Sequence, residues 1–434
     1  MTPPDPAPAA PSSARLPAHR RTVLAMLLVV YVFNFVDRQI LAILAAPIQA
    51  ELRLDDAQMG LLGGIAFALL YSTLAVPLAA LADRTSRSWV IAVSLVVWSG
   101  FTALCGFATS FWQIFLARVG VGIGEAGGVA PSYALIGEYF PSQQRARALS
   151  IYSLGIPLGS AAGVLAGGYI AARVDWRLAF LVVGVAGMVV APVFKLLVCD
   201  RPSAASVAGP AEAEDRPSVA GTAAVLARKP AFWLLAFGAA SASMFGYGSA
   251  FWLPSLLQRS FGLDLVETSQ FYGALLLVGG VAGMLAGGWL GDALGGRDRA
   301  FYAWIPAIAF VAIVPLFAAG VLSAGALAAF ALLLVPQALS YFWFGPVLTA
   351  VQHLVVPAAR ATASALFLLI NNLIGLGGGI YALGALSQHL SAVHGEEALR
   401  LSLLYALALY LLAALLLALA GPALRRGWVA EPEG

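Results

Sequence analysis

Tyr31-Val-Phe-Asn-Phe-Val-Asp37-Arg38-Gln39-Ile-Leu-Ala-Ile-Leu44 sets an adjacent acid and base deep inside an otherwise apolar helix. One ionised side chain near a bilayer centre costs at least ~2.5–3.5 kcal/mol on insertion scales, so the pair points to a polar interior or a water-filled path. The rest of the chain agrees with a membrane setting. Of its 434 residues, 61% are hydrophobic and 10% charged, against roughly 25% charged in a soluble domain. An all-α polytopic membrane protein is expected. The net charge is only +3 and the basic residues are scattered, which leaves no patch for a nucleic-acid partner. Cys105 and Cys199 are the only cysteines, too few for a disulfide framework or a zinc site.

Apolar segments of about 20 residues, enough to cross a ~30 Å core, fall near 22–47, 57–81, 89–108, 112–137, 146–172 and 176–198. Six more lie near 230–257, 267–291, 300–319, 324–350, 361–387 and 400–423, which makes twelve. Most basic residues, among them Arg20, Arg21, Arg84, Arg87, Arg145, Arg147, Arg297, Arg425 and Arg426, share one side with the N-terminus. The other side receives only Arg53, Arg173, Arg177, Arg259 and Arg400. The positive-inside rule then places both termini in the cytoplasm, as for a protein of a bacterial inner membrane. Residues 1–21 read as a disordered cytoplasmic tail and 22–198 as a six-helix half. A proline-containing cytoplasmic linker, 199–229, leads to a second half at 230–423 and a short cytoplasmic tail at 424–434. The first span is longer than a signal-peptide core and carries charges, so it is expected to stay in the protein.

The halves look alike. Leu54-Asp55 before span two matches Leu263-Asp264 before span eight, and Asp83 after span two matches Asp292 after span eight, both offset by 209 residues. A parallel pseudo-repeat of this kind is a known transporter construction. After span two the chain reads Ala79-Ala-Leu-Ala-Asp83-Arg84-Thr-Ser86-Arg87, and after span eight Gly288-Trp-Leu-Gly-Asp292-Ala-Leu-Gly-Gly296-Arg297. These stretches resemble the G-x-x-x-D-R-x-G-R loop of the major facilitator superfamily, repeated in each half as that family repeats it. Arg118-Val-Gly-Val-Gly122, Tyr139-Phe-Pro141 through Arg145-Ala-Arg147 and Asp175-Trp176-Arg177 are similar to further signatures of the superfamily. The resemblance implies twelve helices in two pseudo-symmetric halves. It also implies a cytoplasmic gate that joins the halves in the outward-facing state, drawn from Asp83, Arg84, Arg87, Glu138 and Arg145, with Asp292 and Arg297 in the second copy. Ala79 and Ser86 stand where glycines are usual, and no acid near 345–353 matches Glu138. The second latch is expected to be weaker. Gly155-Ile-Pro157-Leu-Gly159 in span five looks like the antiporter motif of the same superfamily, although glycines four apart pack many membrane helices.

Depth gives the Asp37-Arg38 pair its partners. At about 1.5 Å per residue, Asp37 and Arg38 lie ~22–24 Å from the cytoplasmic end of span one, Glu125 ~18 Å and Arg118 ~28 Å from that of span four. If the two helices face each other, Arg38 reaches Glu125 and Asp37 reaches Arg118. A static network that only fixes helix packing is one reading, but buried ion pairs are poor stabilisers. The other is a proton site, Asp37 and Glu125, in which protonation frees Arg38 for a substrate anion.

The second half has no acid or base inside a span. Its candidates to face the charges are Tyr341, Trp343, Asn371 and Asn372, together with Gln337 and Ser340. A charged wall opposite an apolar one suits an amphipathic ligand, its head near Arg38 and Arg118. The Asp-Arg of span one, Ala45-Ala46-Pro47-Ile48, Met59-Gly60-Leu61-Leu62 and the stretch Tyr71 to Pro77 look like the spinster subfamily. That resemblance implies a monomeric, proton-coupled carrier, without cofactor, for a lysolipid or drug-like molecule among membrane lipids. A carrier of small organic anions is the alternative. No P-loop, HExxH or GxSxG is present and the four histidines lie near termini or loops, which argues against an enzyme.

Overall fold

The computed structural model describes residues 16–200, 218–295 and 297–429; the tail over 1–15 and the linker over 201–217 lie outside the described residues. Among the described residues every regular element is helical, the form in which a chain crossing lipid satisfies its own backbone hydrogen bonds. Among the described residues eleven runs are long and apolar enough to cross a membrane: His19–Ile43, Asp56–Arg84, Arg87–Cys105, Phe111–Tyr139, Arg147–Arg173, Trp176–Leu197, Pro230–Phe261, Leu265–Gly295, Phe301–Val321, Ala326–Gln352 and Pro357–Gly427. The last holds 71 residues, about 107 Å of helix and more than three times a bilayer core. It turns at Gly395, whose φ of 54° lies in the left-handed region open to glycine. The helices on either side, Gly379–His394 and Ala398–Ala406, pack against each other. Twelve crossings result; they are called spans one to twelve, the last two being 360–394 and 398–427.

Two boundaries differ from expectation. Span one is helical from Leu16, inside the stretch read as a disordered tail. The linker contains a helix, Val219–Ala227, whose cap Ser218 accepts the Gly221 N–H at 3.0 Å.

The repeat is visible in the backbone. Arg53 and Gly262, 209 residues apart, are both left-handed, with φ of 55° and 68°. Each is followed by a reciprocal capping box, Asp55 with Gln58 and Asp264 with Glu267, so spans two and eight start identically. Their interruptions also correspond. Span two breaks at Gly64 and span eight loosens into a π-turn at Leu275–Gly279. Span four is interrupted between Glu125 and Val129, span ten between Leu339 and Phe344. Span five breaks at Leu154, and span eleven has a π-turn at Asn372–Gly378. Helix breaks and π-turns at matching places in two halves point to the substrate path of a transporter.

The halves meet mainly on the side away from the chain termini, the far side, through spans two and eleven and spans five and eight. At Gly64 a Cβ would stand 2.8 Å from the carbonyl of Gly377, so glycine lets the two backbones touch. Arg259 at the end of span seven donates to both oxygens of Asp56 at 2.9 and 2.8 Å. Gln49 and Ser387 also donate to that carboxylate, at 2.8 and 2.6 Å. On the termini side, span two meets span eleven only sparingly.

Candidate functional site

Spans one and four face each other through their charges. Arg38 places Nε and a terminal nitrogen on one oxygen of Glu125, Oε2, at 2.9 and 2.8 Å. Arg118 donates to Asp37 Oδ2 at 2.9 Å. Asp37, Arg118 and Glu125 are at most 1% exposed, and the Arg38 side chain 13%. Glu125 ends the first segment of span four, where Gly124 lies so near span three that a Cβ would sit 2.5 Å from the Trp98 nitrogen. The glycines thus let the acid enter the bundle with its own helix in contact behind it.

Three features of this cluster carry no pattern in the sequence. Arg38 is ringed by Phe35, Phe67 and Tyr71, with its Cζ 5.1, 4.8 and 4.6 Å from the ring centroids. Such contacts add about 0.5–2 kcal/mol each and favour a weakly hydrated guanidinium. Thr102 of span three contacts Asp37 Oδ1 within hydrogen-bonding range. Glu125 Oε1 is buried with no partner within bonding distance, which leaves one carboxylate oxygen of the cluster vacant.

On either side of Arg38 in span one, Phe35 and Gln39 line a cavity of about 160 Å³, the size class that accepts a benzene-sized group. Its other walls come mostly from spans seven, eight and ten, with Phe245, Leu276, Phe317 and Leu333 among the apolar residues. Tyr341, Trp343, Gln337 and Ser340, at or beside the interruption of span ten, line it as well. Asn371 and Asn372 do not. The Asn371 amide oxygen accepts at 2.8 Å from Ser243, which does line the cavity, and its nitrogen donates to Asn372 at 3.4 Å.

The expected gate residues separate into two groups. Arg87 bridges Asp83, at 2.7 Å, and Glu138, so this tie closes within the first half. Ser86 and Ser88 hold Asp200, which accepts from Ser86, from the Ser88 hydroxyl at 2.8 Å and from the Ser88 N–H at 2.8 Å. Partial burial opposes ionisation of Asp200, but these hydrogen bonds hold its carboxyl below the usual range. Ser86, where the superfamily loop usually has glycine, also caps span three by accepting the Trp89 N–H. Arg145 donates to the Gly137 carbonyl at 2.9 Å, while Arg84 and Arg297 are exposed outside this cluster. The Asp292 side chain lies outside the described residues.

In the second half the corresponding ends are tied differently. Arg425 bonds Asp298, and Trp428 stacks between His353 and Tyr302 at 4.3 and 5.4 Å. Lys229 donates to the Leu354 and Gly427 carbonyls at 2.6 and 3.2 Å. Tyr139, beside Glu138, donates to the Cys199 carbonyl at 2.6 Å; the Cys199 side chain is exposed and Cys105 buried. Among the described residues no His, Cys, Asp and Glu group could hold a metal.

A twelve-span bundle of two matching halves around a buried charge network defines a secondary transporter, and residues 27–379 match the model of the Major Facilitator Superfamily; the chain belongs to that family. Within it the protein is a spinster-like transporter, not an enzyme. It is 34% identical over 416 residues to an MFS-type efflux pump of Mycolicibacterium smegmatis, covering 96% of each chain. It is 25% identical to the protein spinster homolog 1 of Xenopus tropicalis, over 86% of this chain and 74% of that one. A probable L-galactonate transporter of Escherichia coli is 27% identical, over 64% of this chain and 63% of its own length. The solved structure of a bacterial homolog to the human lysosomal transporter Spinster, inward-facing and unoccupied, matches at a TM-score of 0.83 and 28% identity, over 96% of this chain and all of that one.

Proposed function

We propose that the protein is a proton-coupled exporter or exchanger of an amphipathic, lipid-like or drug-like molecule. The observation that carries this reading is Arg38, held through a single oxygen of Glu125 and flanked by Phe35 and Gln39 of a largely apolar cavity. A proton taken up by the carboxylate pair removes the charge that holds Arg38. The guanidinium then receives the anionic head of the substrate while the apolar part enters the cavity. Rocking of the halves about the midplane carries both across, and proton release returns Arg38 to Glu125. The basic, termini side is the cytoplasm on this reading, in a bacterial inner membrane, with the monomer as the working unit. Asp83, Arg87 and Glu138 act as the cytoplasmic gate.

A second reading, a proton-coupled carrier of small organic anions, draws on the likeness to the probable L-galactonate transporter and on the same two arginines. The apolar lining favours the first. Mass spectrometry of molecules that co-purify with the protein, followed by pH-gradient-driven flux in proteoliposomes, tests the choice. Lipids or hydrophobic amphiphiles are expected; transport of short carboxylates alone would overturn the amphiphile reading.

A further inference from the structure

The inference concerns Thr102 and rests on the proton-coupled reading above. Thr102 is 1% exposed. Its Oγ lies in hydrogen-bonding range of two acceptors at once, Asp37 Oδ1 and, at 2.9 Å, the carbonyl of Trp98 one turn back in its own helix. A threonine hydroxyl has one proton and two lone pairs, whereas an ionised carboxylate only accepts. One proton cannot serve both acceptors. When Asp37 is ionised, the hydroxyl donates to Oδ1. When Oδ1 carries a proton, taken from a hydronium that leaves as water, the hydroxyl turns to the Trp98 carbonyl, a common bond for threonine in membrane helices. Its lone pair then accepts from Asp37. Arg118 donates to the other oxygen, Oδ2, at 2.9 Å.

We propose that Thr102 is a positioning residue whose hydroxyl rotates between Asp37 and the Trp98 carbonyl, so that Asp37 takes up and releases the coupling proton without losing its hydrogen bond.

The surroundings leave this role to Thr102. Arg118 and Glu125 of span four and Cys105 of span three act on Asp37 electrostatically, and Arg38 is its neighbour in span one. Tyr71 of span two and Tyr247 of span seven lie around Arg38. Spans five and six approach through Gly163, where a Cβ would be 2.7 Å from the Val36 carbonyl, and Gly187, where it would be 3.6 Å from the Phe33 ring. Neither contact brings a titratable group.

Infrared difference spectra of the full-length protein in lipid, taken through a pH titration, test the idea without a known substrate. In the wild type protonated-carboxyl stretches appear on acidification, and the one absent from Asp37→Asn belongs to Asp37. Thr102→Val removes a donor from the ionised form and an acceptor from the neutral one. The charged bond is the stronger, so the band is expected to appear at a pH about one unit higher and at higher frequency, while Thr102→Ser restores both. If Thr102→Val does not assemble, Thr102→Ala carries the same expectation. Absence in the wild type of any band removed by either Asp37→Asn or Glu125→Gln would count against proton coupling itself. An Asp37 band that is unchanged by Thr102→Val, or a band removed only by Glu125→Gln, would overturn the role of Thr102 alone.

Discussion

Arg38 and Arg118 share a charge and a similar depth, yet their settings divide the work. Arg118 is sealed, and taking away only one member of such a buried pair leaves an uncompensated charge, a loss of about 3–5 kcal/mol. Arg118→Met is therefore expected to lower the thermal transition of the detergent-solubilised protein strongly, and the double change Arg118→Met with Asp37→Leu to recover much of it, read by thermal denaturation. Arg38 is partly open and held by one oxygen, as a group that changes partners would be. Glu125→Gln is expected to abolish pH-gradient-driven flux while leaving expression nearly intact; wild-type gradient dependence in that variant would remove Glu125 from the coupling. The pairing of Asp37 with Arg118 and Arg38 with Glu125 was legible because depth along a helix can be counted. Thr102 was not, since a single threonine in an apolar helix has no spacing to read.

At the scale of the element, the matching Leu-Asp pairs before spans two and eight were legible as a repeat, while the capping boxes they belong to and the left-handed turns before them were not. Arg53 holds a conformation that costs an L side chain roughly 1–2 kcal/mol, where the repeat has Gly262. Arg53→Gly is expected to leave the melting temperature unchanged or raise it slightly, and Gly262→Ala to lower it by a few degrees; differential scanning fluorimetry distinguishes the two. No acid near 345–353 corresponds to Glu138 in the second half. What stands there instead, Trp428 between His353 and Tyr302, joins three distant segments and follows no local pattern. Close by, the hydrogen bond from Arg425, and then the Ala300 N–H, pull the Asp298 carboxyl down to about 2. A lowered carboxyl stabilises the fold above the ordinary carboxylate range and loses that effect as the pH falls toward 2. Wild type and Arg425→Ala are thus expected to converge in melting temperature between about pH 4 and 2.

For the whole molecule, twelve crossings in two related halves followed from apolar length and the offset of 209 residues. The far-side closure did not. Arg259 read only as one of a few charges on that side, and Asp56 carried no reading from sequence, because a contact between spans two and seven depends on how the halves are docked. Breaking it is expected to shift the population toward a form open on the far side. Changes of 1–3 kcal/mol move such equilibria about 5- to 150-fold. Spin labels at positions 50 and 392, in a background with Cys199 replaced, are expected to show a longer distance in Asp56→Asn than without that change. An unchanged distance distribution would mean that the glycine contacts of spans two and eleven hold the closure without the ion pair.

Cys199 gives this chain a built-in optical handle. It is the one exposed thiol of two, and its carbonyl is bonded to Tyr139, the neighbour of Glu138. A maleimide fluorophore added to the unmodified protein therefore marks a single position, beside the Arg87 bridge. Its emission reports in real time whether that corner of the first half moves during turnover, with no cysteine introduced or removed.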